Sequence, residues 1–333
     1  MKKRATSLLL IFSFLFAFAP LCAMGVAAAD SWQPVFRYLH ISDEHITAST
    51  PTGTPTSTGT QISGVVRAAK AIADRDGVPI SAVTAGGDQI SAAYPNEYEA
   101  LVARFGEIHD LMGEEFPILA VLGNHDYNNG YFAKSDSVAK KYAYIWNEYP
   151  HGNRAEILAG YRSVFVDRLV KTGAVQNNEG VHYHKVVGGF HMIGISIDDY
   201  DGNLSKETLS FLSAALRTAR EDAPGKPIFV NCHYPIYGTT TSSTDGGCAV
   251  PNSGDLSALL DGYPEVILTT GHTHCSANVP TAVWQSPKGW GTVSTNTLPS
   301  GEFFMVEVDK NNTVRYIPYI LSSGKAIPMK DYR

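Results

Sequence analysis

The chain has 333 residues, 44% of them apolar and 17% charged, and a formal charge of −6 at pH 7. That is enough chain for one large domain or two ordinary ones, and the acidic balance argues against sequence-independent binding to DNA or RNA. An anionic substrate would need a local positive patch, or a metal, to offset the field.

Lys2, Lys3 and Arg4 precede an apolar run over 8–21, and Ala27, Ala28 and Ala29 precede Asp30. This is the pattern of a secretory signal peptide cut after Ala29, and it predicts an exported protein: periplasmic, cell-surface or secreted. The competing reading is an uncleaved anchor, which Pro20 and the small residues after it weaken. Cleavage removes three bases and no acid, which takes the net charge from −6 to −9. No other stretch is long and apolar enough to span a bilayer. Residues 30–333 read as a single domain.

The segment RYLHISDEHI, 37–46, begins as a buried strand and breaks into Asp43, Glu44 and His45. Apart from Ala48, residues 47–60 are Thr, Ser, Pro and Gly, hence a loop. Helical patterns cover 62–74 and 98–112, with the apolar run ISAVTAGGD at 80–88 between them. FPILAVLGNHD, 116–126, is another strand that ends in charge, and helical patterns follow at 137–146 and 154–170. GVHYHKVVGGFHMIGISI reads as a hairpin that turns at Gly188-Gly189. A helix over 204–219 precedes two more strands that run into histidine, PIFVNCH at 227–233 and EVILTTGHTH at 265–274. Alternation at 292–297, 303–308 and 313–320 predicts antiparallel strands to the C-terminus. One α/β domain with an antiparallel finish accommodates this order.

Five apolar strands therefore end in polar tips: Asp43 and His45; Asp88; Asn124, His125 and Asp126; His233; His272 and His274. In an α/β sheet the loops at the carboxyl ends of strands converge on one crevice. Carboxylate, imidazole and amide oxygen without thiolate suit Mn, Fe or Zn. A tetrahedral ion takes about four ligands. Asp43, His45, Asp88, Asn124, His233, His272 and His274 are enough for two divalent or transition ions, roughly 3.5–4 Å apart, that share a carboxylate.

SDEHI, GGDQI, GNHDY, CHYP and GHTH, in that order, closely resemble the motifs of the calcineurin-like metallophosphoesterases: D-x-H, G-D, G-N-H-D/E, a lone H and G-H-x-H. The resemblance runs from Arg37 to His274 and implies a four-layer α/β sandwich, two mixed β-sheets flanked by helices. By that resemblance Asp43, His45 and His274 would hold one metal, and Asn124, His233 and His272 the second, with Asp88 bridging. His125 would be the catalytic non-ligand histidine, Asp126 its orienting partner, and Gly86, Gly123 and Gly271 tight turns beneath the site. The implied reaction is in-line attack of a metal-bridging hydroxide on a phosphate ester, with His125 protonating the leaving group. No Tyr follows Asp88 in GGDQIS, so the metal-bound tyrosinate of purple acid phosphatases is not expected.

The lack of an obvious arginine clamp for a dianion tips the expectation slightly toward phosphodiester or nucleotide-type substrates. The alternatives are a phosphomonoesterase, acid-phosphatase-like or acting on proteins, and a non-catalytic metal-binding surface module. Tyr127, Tyr234 and Tyr237 flank the motifs and could stack on a nucleoside or aryl group. His151 falls in the long segment after GNHD, a place for a substrate-gating loop. His40, His109, His182, His184 and His191 read mainly as structural or rim residues. Cys248 and Cys275, both in turn-rich loops, could pair, whereas Cys232 reads as a small buried side chain.

Overall fold

The structure is a computed structural model, which describes residues 32–127, 153–322 and 324–328. The expected signal peptide, the 137–146 helix and His151 lie outside the described residues. From Pro34 onward the chain is one unit. Its strands are β1 (Pro34–Ile41), β2 (Thr47–Ala48), β3 (Pro55–Ser57), β4 (Val83–Ala85), β5 (Ile118–Ala120), β6 (Tyr183–Val187) and β7 (Phe190–Ile195). They continue as β8 (Ile228–Cys232), β9 (Val266–Thr270), β10 (Val283–Gln285), β11 (Gly291–Ser294), β12 (Glu302–Asp309), β13 (Val314–Ser322) and β14 (Lys325–Pro328). The helices are α1 (Thr60–Asp76), α2 (Pro95–Met112), α3 (Arg154–Phe165), α4 (Lys206–Asp222) and α5 (Ser253–Leu260).

Two six-stranded sheets result, ordered β14-β13-β12-β1-β4-β5 and β10-β11-β9-β8-β7-β6, with β2 and β3 as a small separate pair. In the first sheet β1, β4 and β5 are parallel and β12 runs against β1. In the second, β7, β8, β9 and β11 are parallel. Both sheets are mixed, as expected. The expected antiparallel finish holds for β12 and β13, but β11 lies parallel to β9. Alternation reports which faces a strand buries, not the direction of its neighbour.

Each sheet is sealed on both sides. Phe36, Tyr38, Tyr183, Phe190, Phe229, Phe304 and Val306 fill the space between the sheets, and Phe36 stacks on Phe190 with ring centroids 4.5 Å apart. On the outer faces Val65, Ile72, Leu101 and Phe105 from α1 and α2, and Leu212 and Leu216 from α4, complete the second core. The hairpin turns at Gly188 and Gly189 with φ 58° and 81°, the left-handed pair that a two-residue turn demands. Helix α4 starts where Ser205 Oγ accepts from the Thr208 amide, an N-cap bond of the usual kind.

At the far end from the polar tips, Arg37 is buried in β1. Its Nε lies 2.8 Å from Glu307 Oε1 on β12, and Nη1 donates to the Val78 carbonyl. Removing one partner of a buried ion pair strands the other charge. Arg37 Nη2 keeps Asp76 Oδ2 at 3.2 Å, so Glu307→Ala is expected to cost less than the full 3–5 kcal/mol of an unpaired buried charge, about 2–3 kcal/mol of stability. Urea unfolding would check this, and a loss below about 1 kcal/mol would mean that Asp76 and water together satisfy the guanidinium.

Candidate metal centre

The carboxyl ends of β1, β4 and β5 in one sheet and of β8 and β9 in the other meet at one edge of the sandwich. Main-chain oxygens of the first sheet hold the second sheet in register there: Asn231 Nδ2 donates to the Ala85 carbonyl, and His233 Nδ1 lies 2.9 Å from the Gly86 carbonyl. Asp43, Asp88 and His233 are no more than 1% exposed at this edge.

One potential ligand atom from each of Asp43, His45, Asp88 and His274 falls within 4.8 Å of the others, and Asp88, His233 and His272 form a second such group. Asp88 belongs to both. Six of the seven ligands expected from sequence are thus brought together. The seventh, Asn124, offers a buried Oδ1 with no hydrogen-bond partner. An orphaned buried acceptor costs about 1–3 kcal/mol, a cost that a cation would relieve.

The backbone is strained at the same positions. Asp43, His45, Asp88, His272 and His274 have φ between 47° and 66°. Left-handed geometry costs non-glycine residues about 1–2 kcal/mol each. Such strain persists where surrounding structure over-determines it, commonly at functional sites. The glycines act differently from expectation. Gly123 and Gly271 keep ordinary φ, and their need is for space: a Cβ at Gly123 would strike Asp88 Oδ1, and one at Gly271 would strike Asp43 Oδ2. The turn before Asp88 is made by Gly87, at φ 100°.

The protonation pattern fits cations. His233 Nδ1 must carry hydrogen to bond the Gly86 carbonyl, so Nε2 is the nitrogen that faces Asp88 Oδ2, 3.1 Å away, and that is free for an ion once the ring gives up its second proton. Burial disfavours a charged ring, but Asp88 and Asp43 outweigh it and raise His233 to about 9. Burial alone would raise Asp88 and Asp43, yet His233 holds both below the usual carboxylate range. His45 Nε2 and His274 Nε2 are 3.1 Å apart, and His274 Nε2 is 3.0 Å from Asp43 Oδ1. A proton occupies a gap that a divalent ion suits better.

A folded pKa above the ordinary value of 6.5 stabilises the protein below 6.5 and loses that contribution as pH rises through 9. Protein stripped of metal should therefore unfold at lower urea as pH climbs from 6.5 to 9, while cation affinity rises over the same window as His233 gives up its proton. Affinity flat across that range would contradict His233 as a ligand.

Asp126 has a different role from the expected one. Its Oδ2 accepts from the amides of Asp88 (2.9 Å) and Gly123 (2.7 Å), and Oδ1 from that of Ile90. These bonds clasp the Asp88 loop to the GNHD loop. Burial, with the charge of Asp88, pushes Asp126 well above the ordinary carboxyl range. His125 is oriented instead by the Ser91 carbonyl, 2.9 Å from its Nδ1, and its own amide donates to Asp88 Oδ1. The correction has a simple cause: in the turn His125–Tyr127 adjacent side chains diverge, so sequence neighbours do not pair. Asp126→Asn is thus expected to lower bound cation as well as turnover. Full cation content with slow turnover would restore Asp126 as the partner of His125.

Other contacts had no motif to announce them. Ser42 Oγ donates to Asp43 Oδ2 at 2.5 Å. Tyr234 stacks on His272 with centroids 3.8 Å apart, and its hydroxyl donates to the Tyr200 carbonyl. Glu44 is 2% exposed with both oxygens unpartnered, and burial plus the carboxylates of Asp43, Asp126 and Asp88 push it well up. Tyr127 is fully buried and donates to Ile197, so of the three flanking tyrosines only Tyr237, 63% exposed, presents a free ring. His40 is buried against Thr84 Oγ1, and His184 and His191 bond each other with Asp222 beyond. The acidic run Asp198, Asp199 and Asp201 is answered by Arg162 and Arg154.

Two cation-ready groups that share a buried carboxylate, beside an oriented histidine, are the equipment of a metal-dependent phosphoester hydrolase. Residues 36–276 match the calcineurin-like phosphoesterase family, and the chain belongs to that family. No curated protein matches it in sequence. Among solved structures it is similar to a purple acid phosphatase from yellow lupin (Lupinus luteus) seeds, with TM-score 0.55 and 15% identity over 90% of this chain and 54% of that one. A putative 5′-nucleotidase from Staphylococcus aureus gives TM-score 0.44 and 15% identity over 90% of this chain and 55% of that one. The chain thus spans about half the length of the lupin protein, and that likeness concerns the fold.

Proposed function

We propose that the chain is an exported dimetal phosphoesterase with a preference for phosphodiester or nucleotide-type substrates. The observation that carries this reading is Asp88, common to both ligand groups. Asp43, His45 and His274 would hold one ion, and Asn124, His233 and His272 the other. When bound, Mn, Fe or Zn ions supply Lewis acidity toward phosphate oxygens and lower the pKa of water.

The protein's own part is positioning and proton transfer. As imidazolium, His125 keeps its Nδ1 hydrogen on the Ser91 carbonyl, which leaves the Nε2 hydrogen to give to the leaving oxygen. Asp126 holds the Asp88 and GNHD loops together while this happens. Buried Ser42 and the His272 amide fix the Asp43 carboxylate.

The diester preference is supported by the paired state of the arginines that meet the 198–201 turn: Arg162 is 2.8 Å from Asp198, and Arg154 is 2.9 Å from Asp201. Neither guanidinium is free to clamp a dianionic monoester. Among the described residues no helix is long and apolar enough to cross a membrane. Export is supported by the basic-apolar-small order of the first 29 residues, and a mature N-terminus at Asp30 would be its signature.

The test is hydrolysis of bis-p-nitrophenyl phosphate against p-nitrophenyl phosphate with added Mn, Zn or Fe, and with chelator. Faster chelator-sensitive cleavage of the diester is expected. Faster monoester cleavage would reverse the preference, and no cleavage with any metal would favour a non-catalytic metal-binding module.

A further inference from the structure

The loop that follows β8 carries a free cysteine onto the segment that holds His272 and His274. Thr241 donates its amide to the Thr281 carbonyl at 3.0 Å, and the two threonine hydroxyls are 2.5 Å apart. His272 Nε2 lies 3.3 Å from the Gly247 carbonyl. A carbonyl only accepts, so this bond places the hydrogen on Nε2 and leaves Nδ1 as the lone-pair nitrogen for an ion.

Cys248 follows Gly247 directly, and Cys275 is three residues beyond His272. Both are half-buried free thiols. Cys275 also donates to the Thr273 carbonyl at 3.4 Å. The contacts of Gly247 with His272 and of Thr241 with Thr281 bring the loop that carries Cys248 against the segment that carries Cys275. The third cysteine among the described residues does not compete. Cys232 is fully buried in β8, and burial pushes its thiol up to about 12.

We infer that Cys248 and Cys275 form a disulfide that clamps the Gly247 carbonyl onto His272. Oxidised glutathione can supply the oxidising equivalents. The Cys248 thiolate attacks one glutathione sulfur and expels glutathione thiolate, which forms a mixed disulfide. The Cys275 thiolate then attacks Cys248 Sγ and expels the second glutathione. Two protein thiols lose two electrons and two protons, and one glutathione disulfide becomes two glutathiones. The bridge itself is independent of the phosphoesterase reading, whereas its effect on an ion rests on that reading. Loss of an orienting contact to a ligating histidine typically costs about 10–100-fold in metal affinity.

The test uses full-length protein equilibrated with oxidised glutathione, alkylated under native conditions and digested. No Lys or Arg lies between Lys226 and Lys288, so trypsin alone leaves Cys232, Cys248 and Cys275 in one peptide. Adding a glutamyl protease cuts after Glu265 and separates Cys248 from Cys275. The expected result is a linked pair of peptides, lost on reduction. Alkylation of both cysteines after oxidation would overturn the bridge. Equilibrium dialysis against Mn or Zn then reads its consequence. Reduced protein, and Cys248→Ser in its place, keep the Gly247 contact by the loop alone and should bind one of two ions more weakly, by up to the roughly 10–100-fold that outright loss of such a contact costs. Equal affinity in the bridged and reduced forms would overturn the clamp. A bridged protein with two ions and no hydrolysis would count against the phosphoesterase reading alone.

Discussion

Asp88→Asn is expected to lower hydrolysis roughly 10³-fold, about 4 kcal/mol at 1.36 kcal/mol per decade, and to take cation content from two per chain toward none. Asp88 is the residue common to both ligand groups, it is 1% exposed, and its Oδ2 is 3.1 Å from His233 Nε2. Asparagine keeps the shape and can still accept the His125 amide, which now bonds Oδ1 at 2.8 Å. It loses the charge that holds His233 protonated in the metal-free site and that would bind both ions. Several kcal/mol of charge stabilisation at the transition state depend on such ions. Elemental analysis beside the rate measurement decides the matter. A variant that keeps both ions would remove Asp88 from the bridging position.

His125→Ala should act on turnover alone. Its Nδ1 is tied to the Ser91 carbonyl, and it belongs to neither ligand group. Loss of a positioned general acid typically costs about 10²–10⁴-fold, here with both ions retained. The size of the loss should depend on the leaving group. A p-nitrophenolate departs with little help, so its hydrolysis should fall least, while a nucleoside or alkyl alkoxide should fall most. A loss that is equal for all leaving groups, or one that tracks lost metal, would remove His125 from the role of proton donor.

The helix α5 at Ser253–Leu260 and the short strands β10 and β14 escaped the sequence reading, as did β2 and β3 within the segment 47–60 read as a loop. Each is eight residues or fewer, too short for a period to register. The helix read at 62–74 extends over Thr60–Asp76, and the one read at 98–112 begins at Pro95. There a Pro at the first turn and Glu97 reaching back to the Tyr94 amide mark the start. The pattern read at 154–170 is an α-helix to Phe165 followed by a wider π turn over Val166–Val170. Apolar spacing does not separate those two windings.

What the sequence by itself determined is the ligand chemistry and where it sits along the chain: five apolar strands, each halted by carboxylate, amide or imidazole. Strand periodicity and strand ends are local properties, written within about ten residues. Only the tertiary structure decided that the tips come from two sheets, that Ser91 and Gly247 orient His125 and His272 through their carbonyls, and that Asp126 clasps backbone amides. Those contacts join residues 25 to 38 positions apart, or use main-chain groups that every residue carries. No spacing of side-chain types along the chain encodes them, because they follow from how two sheets pack and twist against each other.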